Sequence, residues 1–163
     1  SQFDTLGTQD LDKSLSLLRG LLQDPEADVK AAAADCLGGL KLVAAFDDLQ
    51  QLYQSTEDWI IKLSVIAALG ELGEPRGFEL LKQALSEDND LVKTAAISSM
   101  GELGNAETIS ILAPYSKDAD WQIRFRVAQA LNRLGTPEAK PVLESLANDE
   151  VGAVAEEAKK NLS

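Results

Sequence analysis

The sequence predicts an all-α fold, an α-α superhelix or solenoid of about five helical hairpins, and three observations lead there. Hydrophobic residues make up 45% of the chain but aromatic ones only 5%, alanine and leucine dominate, and the alternating Val, Ile and Thr strings that mark strands are missing. One apolar segment recurs in register along the chain, which is the mark of units that bury their apolar faces only against one another. Gly, Pro or Asn follows most copies, where helices end.

The recurring segment reads as the inner helix of each hairpin. Aligned on a basic residue, "DVKAAAADCLGGL" ends at Leu40, "IIKLSVIAALGEL" at Leu72, "LVKTAAISSMGEL" at Leu103 and "QIRFRVAQALNRL" at Leu134. The anchors Lys30, Lys62, Lys93 and Arg124 stand 32, 31 and 31 residues apart. A weaker fifth copy, "AVAEEAKKNL", ends at Leu162 with Ala155 in the basic column. Between the copies lies a second helical pattern carried by Leu17, Leu18 and Leu21, then Leu49 and Leu52, Leu80 and Leu81, Ile111 and Leu112, and Val142, Leu143 and Leu146. The hairpins so defined run approximately over 11–40, 46–72, 76–103, 107–134 and 138–162 of one domain, 11–163, with 1–10 as a tail or cap. Asp28, Asp58, Asp90 and Asp120 stand where a carboxylate can cap the inner helices. The first loop, "KLVAAF", departs from the others in lacking Gly and Pro, and "QSTEDW" holds an extra residue.

An acidic turn, then "V(K/R)xxAAxALGxLG", a short loop and "LxxLxxD" resembles the HEAT-like repeats of the phycobilisome lyase type, over residues 11 to 162. The resemblance implies a HEAT-like solenoid. It also implies a protein-binding role, or kinship with lyase subunits that attach or detach linear tetrapyrroles on phycobiliprotein cysteines, or with phycobilisome-degradation factors, in a cyanobacterial setting. What matches is the repeat framework, so no lyase residue is carried over.

Comparing copies column by column separates core from surface. Val29, Ile61, Val92, Ile123 and Val154, and likewise Leu37, Leu69, Met100, Leu131 and Leu162, are apolar throughout and are expected in the core. Cys36 shares a column with Ala68, Ser99, Ala130 and Asn161, which suggests a tight helix contact and a structural thiol. Gly38, Gly70 and Gly101 recur inside helices, where they allow close approach between layers. The basic column faces Asp24, Glu87, Asp118 and Asp149, with Thr56 as the exception, and a ladder of ion pairs between layers is expected.

Some columns vary informatively. Three residues before the basic anchor come Ala27, Trp59, Asp90, Trp121 and Gly152; one turn later come Ala31, Leu63, Thr94, Phe125 and Glu156. Trp59, Leu63, Ile66, Ile97, Trp121 and Phe125 read as an exposed apolar strip on the inner, concave side, of the kind that marks a partner site; the alternative is that Trp59 and Trp121, each following an Asp cap, simply fold back over the preceding turn and seal the core. Helices packed about 8 to 10 Å apart put the two tryptophans about 20 Å apart, which suits a segment of another protein better than a small metabolite. Lys159 and Lys160 give the last repeat the polar face of a terminal cap.

Catalytic constellations are sparse. With no histidine there is no imidazole-dependent triad, and no Cys/His cluster for zinc. The stretch "SEDNDLV" lacks the bend glycine and distal glutamate of a calcium loop. A net charge of −12 disfavours nucleic acid and anionic membranes and favours a basic or amphipathic partner segment. One cysteine excludes an internal disulfide, and no apolar run reaches membrane-span length, so a cytoplasmic protein is expected. The expected function is a non-catalytic adaptor, scaffold or chaperone with no cofactor. The alternative is a bilin-handling lyase-type subunit, in which Trp59, Trp121 and Phe125 stack on the tetrapyrrole and Lys62 or Arg124 meets a propionate.

Overall fold

The computed structural model describes the backbone of residues 2–162 and the side chains of residues 10–162. Its α-helices are α1 (Gln2–Leu21), α2 (Ala27–Gly39), α3 (Phe46–Ser55), α4 (Trp59–Leu72), α5 (Phe78–Ala84), α6 (Asp90–Leu103), α7 (Thr108–Leu112), α8 (Trp121–Leu134), α9 (Lys140–Leu146) and α10 (Gly152–Lys159). The side chains of the expected tail or cap over 1–10 lie, up to residue 9, outside the described residues. Consecutive helices pair into hairpins, odd-numbered ones outside and even-numbered ones inside. Each inner helix packs along the next, α2 on α4, α4 on α6, α6 on α8 and α8 on α10. One cluster of buried residues runs from Leu22 to Ala158 through every layer. None of these helices is long and apolar enough to cross a membrane.

The local chemistry explains where helices begin. Asp58 accepts the Ile60 N–H at 2.8 Å and Asp120 the Gln122 N–H at 2.9 Å, so both cap as expected. Two other expected caps are displaced by a neighbour. Asn89 takes the N–H groups of Leu91 and Val92 at 2.9 and 3.2 Å, which leaves Asp90 as the first residue of α6. In α2 the N-cap is Glu26, which makes no side-chain cap bond, and Asp28 lies inside the first turn. There Asp24 holds the Glu26 N–H at 2.9 Å and sets the turn from one step further back.

Helix ends repeat even more closely. Gly73, Gly104 and Gly135 follow α4, α6 and α8 with φ of 69°, 77° and 67°, the left-handed cap that glycine adopts without penalty. Lys41 occupies the same column after α2 at φ 54°. Its ammonium donates to the Glu71 carbonyl at 2.9 Å, which ties this turn to the end of α4. The remaining irregularity is in the fourth outer helix, where Pro114 cannot supply an N–H and α7 gives way to a 3-10 turn over Ala113–Lys117.

The glycines inside helices mark the joints between layers. A Cβ built on Gly38 would lie 2.7 Å from Ala68 Cα, one on Gly70 2.6 Å from Ser99 Oγ and 2.8 Å from its Cα, and one on Gly101 2.8 Å from Ala130 Cα. Backbones therefore touch where a glycine of one inner helix meets the small residue of the next. The Ser99 hydroxyl adds a bond across its joint to the Ile66 carbonyl, 2.9 Å. In the last joint Asn132 stands in the glycine column and donates to the Glu157 carbonyl at 2.6 Å instead. Stacking on two sides explains why α4 is apolar nearly all round: Ile61, Val65, Ile66, Ala68, Leu69 and Leu72 are all buried between α2, α6 and the outer helices.

Cys36 corrects an expectation. It is exposed, unlike its column mates Ala68, Ser99 and Ala130, each of which meets a glycine of the inner helix before it, whereas among the described residues no inner helix packs on that side of α2. Val29 is only partly buried for the same reason, whereas Ile61, Val92, Ile123 and Val154 are at most 3% exposed.

Gly70→Ala is expected to lower the unfolding free energy by about 1 to 3 kcal/mol through overpacking, although alanine is the better helix former. Gly20→Ala, in α1 with nothing within 4 Å of the new methyl, is expected to raise it by about 0.5 to 1 kcal/mol. Lys41→Gly should raise it by about 0.5 to 1 kcal/mol by relieving the left-handed backbone. Urea denaturation of the three variants measures all of these.

Candidate functional site

Trp59 and Trp121 are the first residues of α4 and α8, directly after the capping aspartates. The cap holds the chain extended up to the helix start and thereby places each indole on the rim formed by the N-terminal ends of the inner helices. Trp59 is 42% and Trp121 41% exposed. Leu63 and Phe125, one turn further on, are partly buried and pack against the core. The Trp121 and Phe125 rings meet edge to face, 6.5 Å between centroids at 70°.

Ile66 and Ile97, placed on the same strip from sequence, are fully buried. The next turn of an inner helix lies within the joint, where the following layer covers it; Ala34 and Ala128 in the same column are equally buried. The strip is therefore shorter than expected and confined to the rim. Two residues that the sequence reading passed over join it, Ile60 at 39% and Leu91 at 54% exposed. Their column, Asp28, Ile60, Leu91, Gln122 and Ala153, mixes acid, aliphatic and amide side chains, and that lack of a shared character was the available signal. Layers 2, 3 and 4 thus present Trp59 with Ile60, then Leu91, then Trp121.

The rim is acidic between its apolar residues. Glu57, Asp88 and Asp90 are exposed beside it, and no basic side chain occupies the tryptophan column.

Two rungs of the expected ion-pair ladder form, each joining a basic residue to the acid that opens the next layer. Lys62 Nζ donates to Glu87 Oε1 at 3.0 Å, the Tyr53 hydroxyl donates to the same oxygen at 2.7 Å, and Lys62 sits 5.4 Å from the Tyr53 ring centroid. Burial, helped by Glu87, pushes the Tyr53 phenol well above its usual range. The hydrogen bond from Tyr53, with that from Lys62, holds Glu87 below the ordinary carboxylate range. In the other rung Arg124 makes two parallel bonds to Asp149, 2.7 and 3.1 Å, and donates to the carbonyls of Asp118 and Ala119 at 2.8 and 3.2 Å. That contact lowers the Asp149 pKa and raises that of Arg124. Opposite Lys30 stands Thr56, whose hydroxyl accepts the Asp58 N–H, and among the described residues Lys30 and Lys93 make no ion pair. Lys62 and Arg124 are thus committed to holding layers together and are poorly placed to meet a propionate.

The rungs carry a pH dependence with a defined sign. Glu87 and Asp149 have folded pKa values below their unfolded ones, so their contribution is complete above the unfolded carboxylate range, about 4, and is lost as pH falls through the folded values. Asp149→Asn should lower stability at pH 7 and flatten its decline below about pH 4, as urea denaturation across pH will show. Arg124→Met, which leaves the partly buried Asp149 without its partner, should cost about 1 to 3 kcal/mol at pH 7.

Comparison with known proteins places the architecture. No curated protein matches the chain. Among solved structures, that of the complex of CpcE and CpcF of phycocyanin lyase from Nostoc sp. PCC7120 is similar with a TM-score of 0.74 at 21% identity, over 88% of this chain and 61% of that one. The chain thus spans less than two thirds of that relative. An engineered protein is similar with a TM-score of 0.60 at 17% identity, over 89% of this chain and 76% of that one. These likenesses establish the solenoid fold. The family model for HEAT repeats matches residues 14–101 and 78–163, and with its glycine joints and paired helices in view the chain belongs to the HEAT-repeat family.

Proposed function

We propose that the protein is a non-catalytic interaction module, an adaptor, scaffold or chaperone, that receives a segment of another protein along the rim of its inner helices. The row Trp59, Ile60, Leu91 and Trp121 carries this reading. Large apolar side chains in three consecutive layers form a patch of the kind that anchors partners, and tryptophan is prominent among residues that dominate binding energy. The partner segment supplies apolar side chains at the spacing of the layers and Lys or Arg between them, to meet Glu57, Asp88 and Asp90 in a chain of net charge −12. The shared fold makes a phycobiliprotein of the cyanobacterial cytoplasm the first partner to try.

A second reading, a lyase-type subunit that handles a bilin or a phycobilisome-degradation factor, is supported by the same fold likeness. It also draws on an open groove on the inner side lined by Ser98, Arg126, Gln129, Arg133 and Glu157, where two guanidinium groups can meet propionates that Lys62 and Arg124 cannot.

Tryptophan fluorescence separates the readings. Titration with phycocyanin, and separately with a lysine-rich amphipathic peptide, should shift the emission, with an affinity that weakens as salt rises. Trp59→Ser with Trp121→Ser, a variant left without tryptophan and therefore followed by titration calorimetry, should weaken that binding about 30-fold or more while leaving the far-ultraviolet spectrum and melting midpoint nearly unchanged. Neither protein probe binding, or a bilin absorbance shift with no binding of either, would overturn the interaction reading.

A further inference from the structure

The open face of the inner helices changes charge along the stack. It is charged by Asp28 and Asp35 in α2, by Glu71 in α4 and by Glu102 in α6, but by Arg126 and Arg133 at the matching positions of α8. A second column turns at the same layer. The exposed position in the turn before each inner helix holds Glu57, then Asp88, then Ala119, and Glu150 restores the acid one layer on. A chain of net charge −12 thus carries one basic band, in layer 4, with acid on either side.

The arginines of this band are largely uncommitted. Arg126 is exposed, donates to Gln129 Oε1 at 3.0 Å and, among the described residues, makes no ion pair. Arg133 comes only to 3.7 Å of Glu102, with 64% of its side chain exposed. Glu157, the one carboxylate in the groove that both arginines line, is occupied by Lys160 at 2.6 Å. Each guanidinium therefore keeps N–H groups for an incoming acceptor. The groove is continuous with the apolar row of the rim, because Trp121, where that row ends, opens the helix that carries both arginines.

We propose that the partner segment is charge-bipolar: Lys or Arg where it crosses the layers of α4 and α6, and Asp or Glu where it reaches α8, its carboxylates received by Arg126 and Arg133. Resting on the interaction role proposed above, this adds the order of charge along the segment and so the direction in which it lies across the layers. Layers about 8 to 10 Å apart correspond to about five to seven residues of a helix rising 1.5 Å per residue, so a helical partner changes sign within about two turns.

Glutamate and glutamine in the ligand separate local contact from general attraction. In the field of a chain of net charge −12, glutamate binds worse than glutamine unless cations meet it directly. The probe is an amphipathic helical peptide without tryptophan, with lysines along its first half and two glutamates near its last turn. Its twin has glutamine at both acidic positions, and each is titrated into the full chain at physiological salt by the emission of Trp59 and Trp121. The glutamate peptide should bind about fivefold or more tighter than its twin. Arg126→Gln with Arg133→Gln should abolish that preference while leaving the affinity for the glutamine peptide and the melting midpoint nearly unchanged. Equal or weaker binding of the glutamate peptide, or a preference for it that survives in the double variant, would overturn the proposal and leave the interaction role standing. Failure of both peptides to bind would overturn both. A bilin absorbance shift lost in the double variant, with peptides that bind equally, would assign the arginines to a pigment carboxylate instead.

Discussion

The close approach of consecutive inner helices sets the geometry of everything else. At Gly38, Gly70 and Gly101 the backbone of one layer meets the small residue of the next with no room for a methyl group. Layer spacing is thereby fixed by backbone contact rather than by the adjustable volume of long side chains. Around each contact the larger apolar residues, Leu69 and Ile66 or Met100 and Ile97, fill the space that remains and are fully buried. Two joints are further clamped at their edges by Lys62 with Glu87 and Arg124 with Asp149. The first edge has Thr56 in place of an acid and the last has Asn132 in place of glycine, so the middle of the stack is its most regular part.

A fixed joint divides each inner helix into regions with different duties. Turns inside the joint are core whatever their hydrophobicity, while the first turn, held by a capping Asp or Asn, projects beyond it. Trp59, Ile60, Leu91 and Trp121 all lie in that first turn, so the rim is positioned by the same caps that start the helices.

Much of this was legible in the sequence because a repeat supplies its own controls. Residues alike in every copy, such as Ile61 and Leu69, were core, and periodic glycines marked close approach. Two kinds of error had physical causes. Ile66 and Ile97 share a column with Ala34 and Ala128, and such variation suggests exposure, yet a joint accepts different volumes when the opposing residues compensate. Cys36 has the character of its buried column mates but none of their burial, because alignment treats all copies alike, whereas no described inner helix packs on that side of α2. Ile60 and Leu91 are hard to place from sequence because their column holds no shared residue type, Asp28, Gln122 and Ala153 being its other members. The caps at Asp28 and Asp90 failed by one or two residues, the scale on which neighbouring side chains compete for the same N–H groups.

The joint itself is tested most directly by a double-mutant cycle between Gly70→Ala and Ser99→Gly, with each unfolding free energy taken from urea denaturation. Direct contact predicts strong coupling: the added methyl costs at least about 1 kcal/mol less when Ser99 has lost its side chain than when it is present. Additivity within about 0.3 to 0.5 kcal/mol, the behaviour of residues that do not touch, would contradict the claim that these two helices meet at this point.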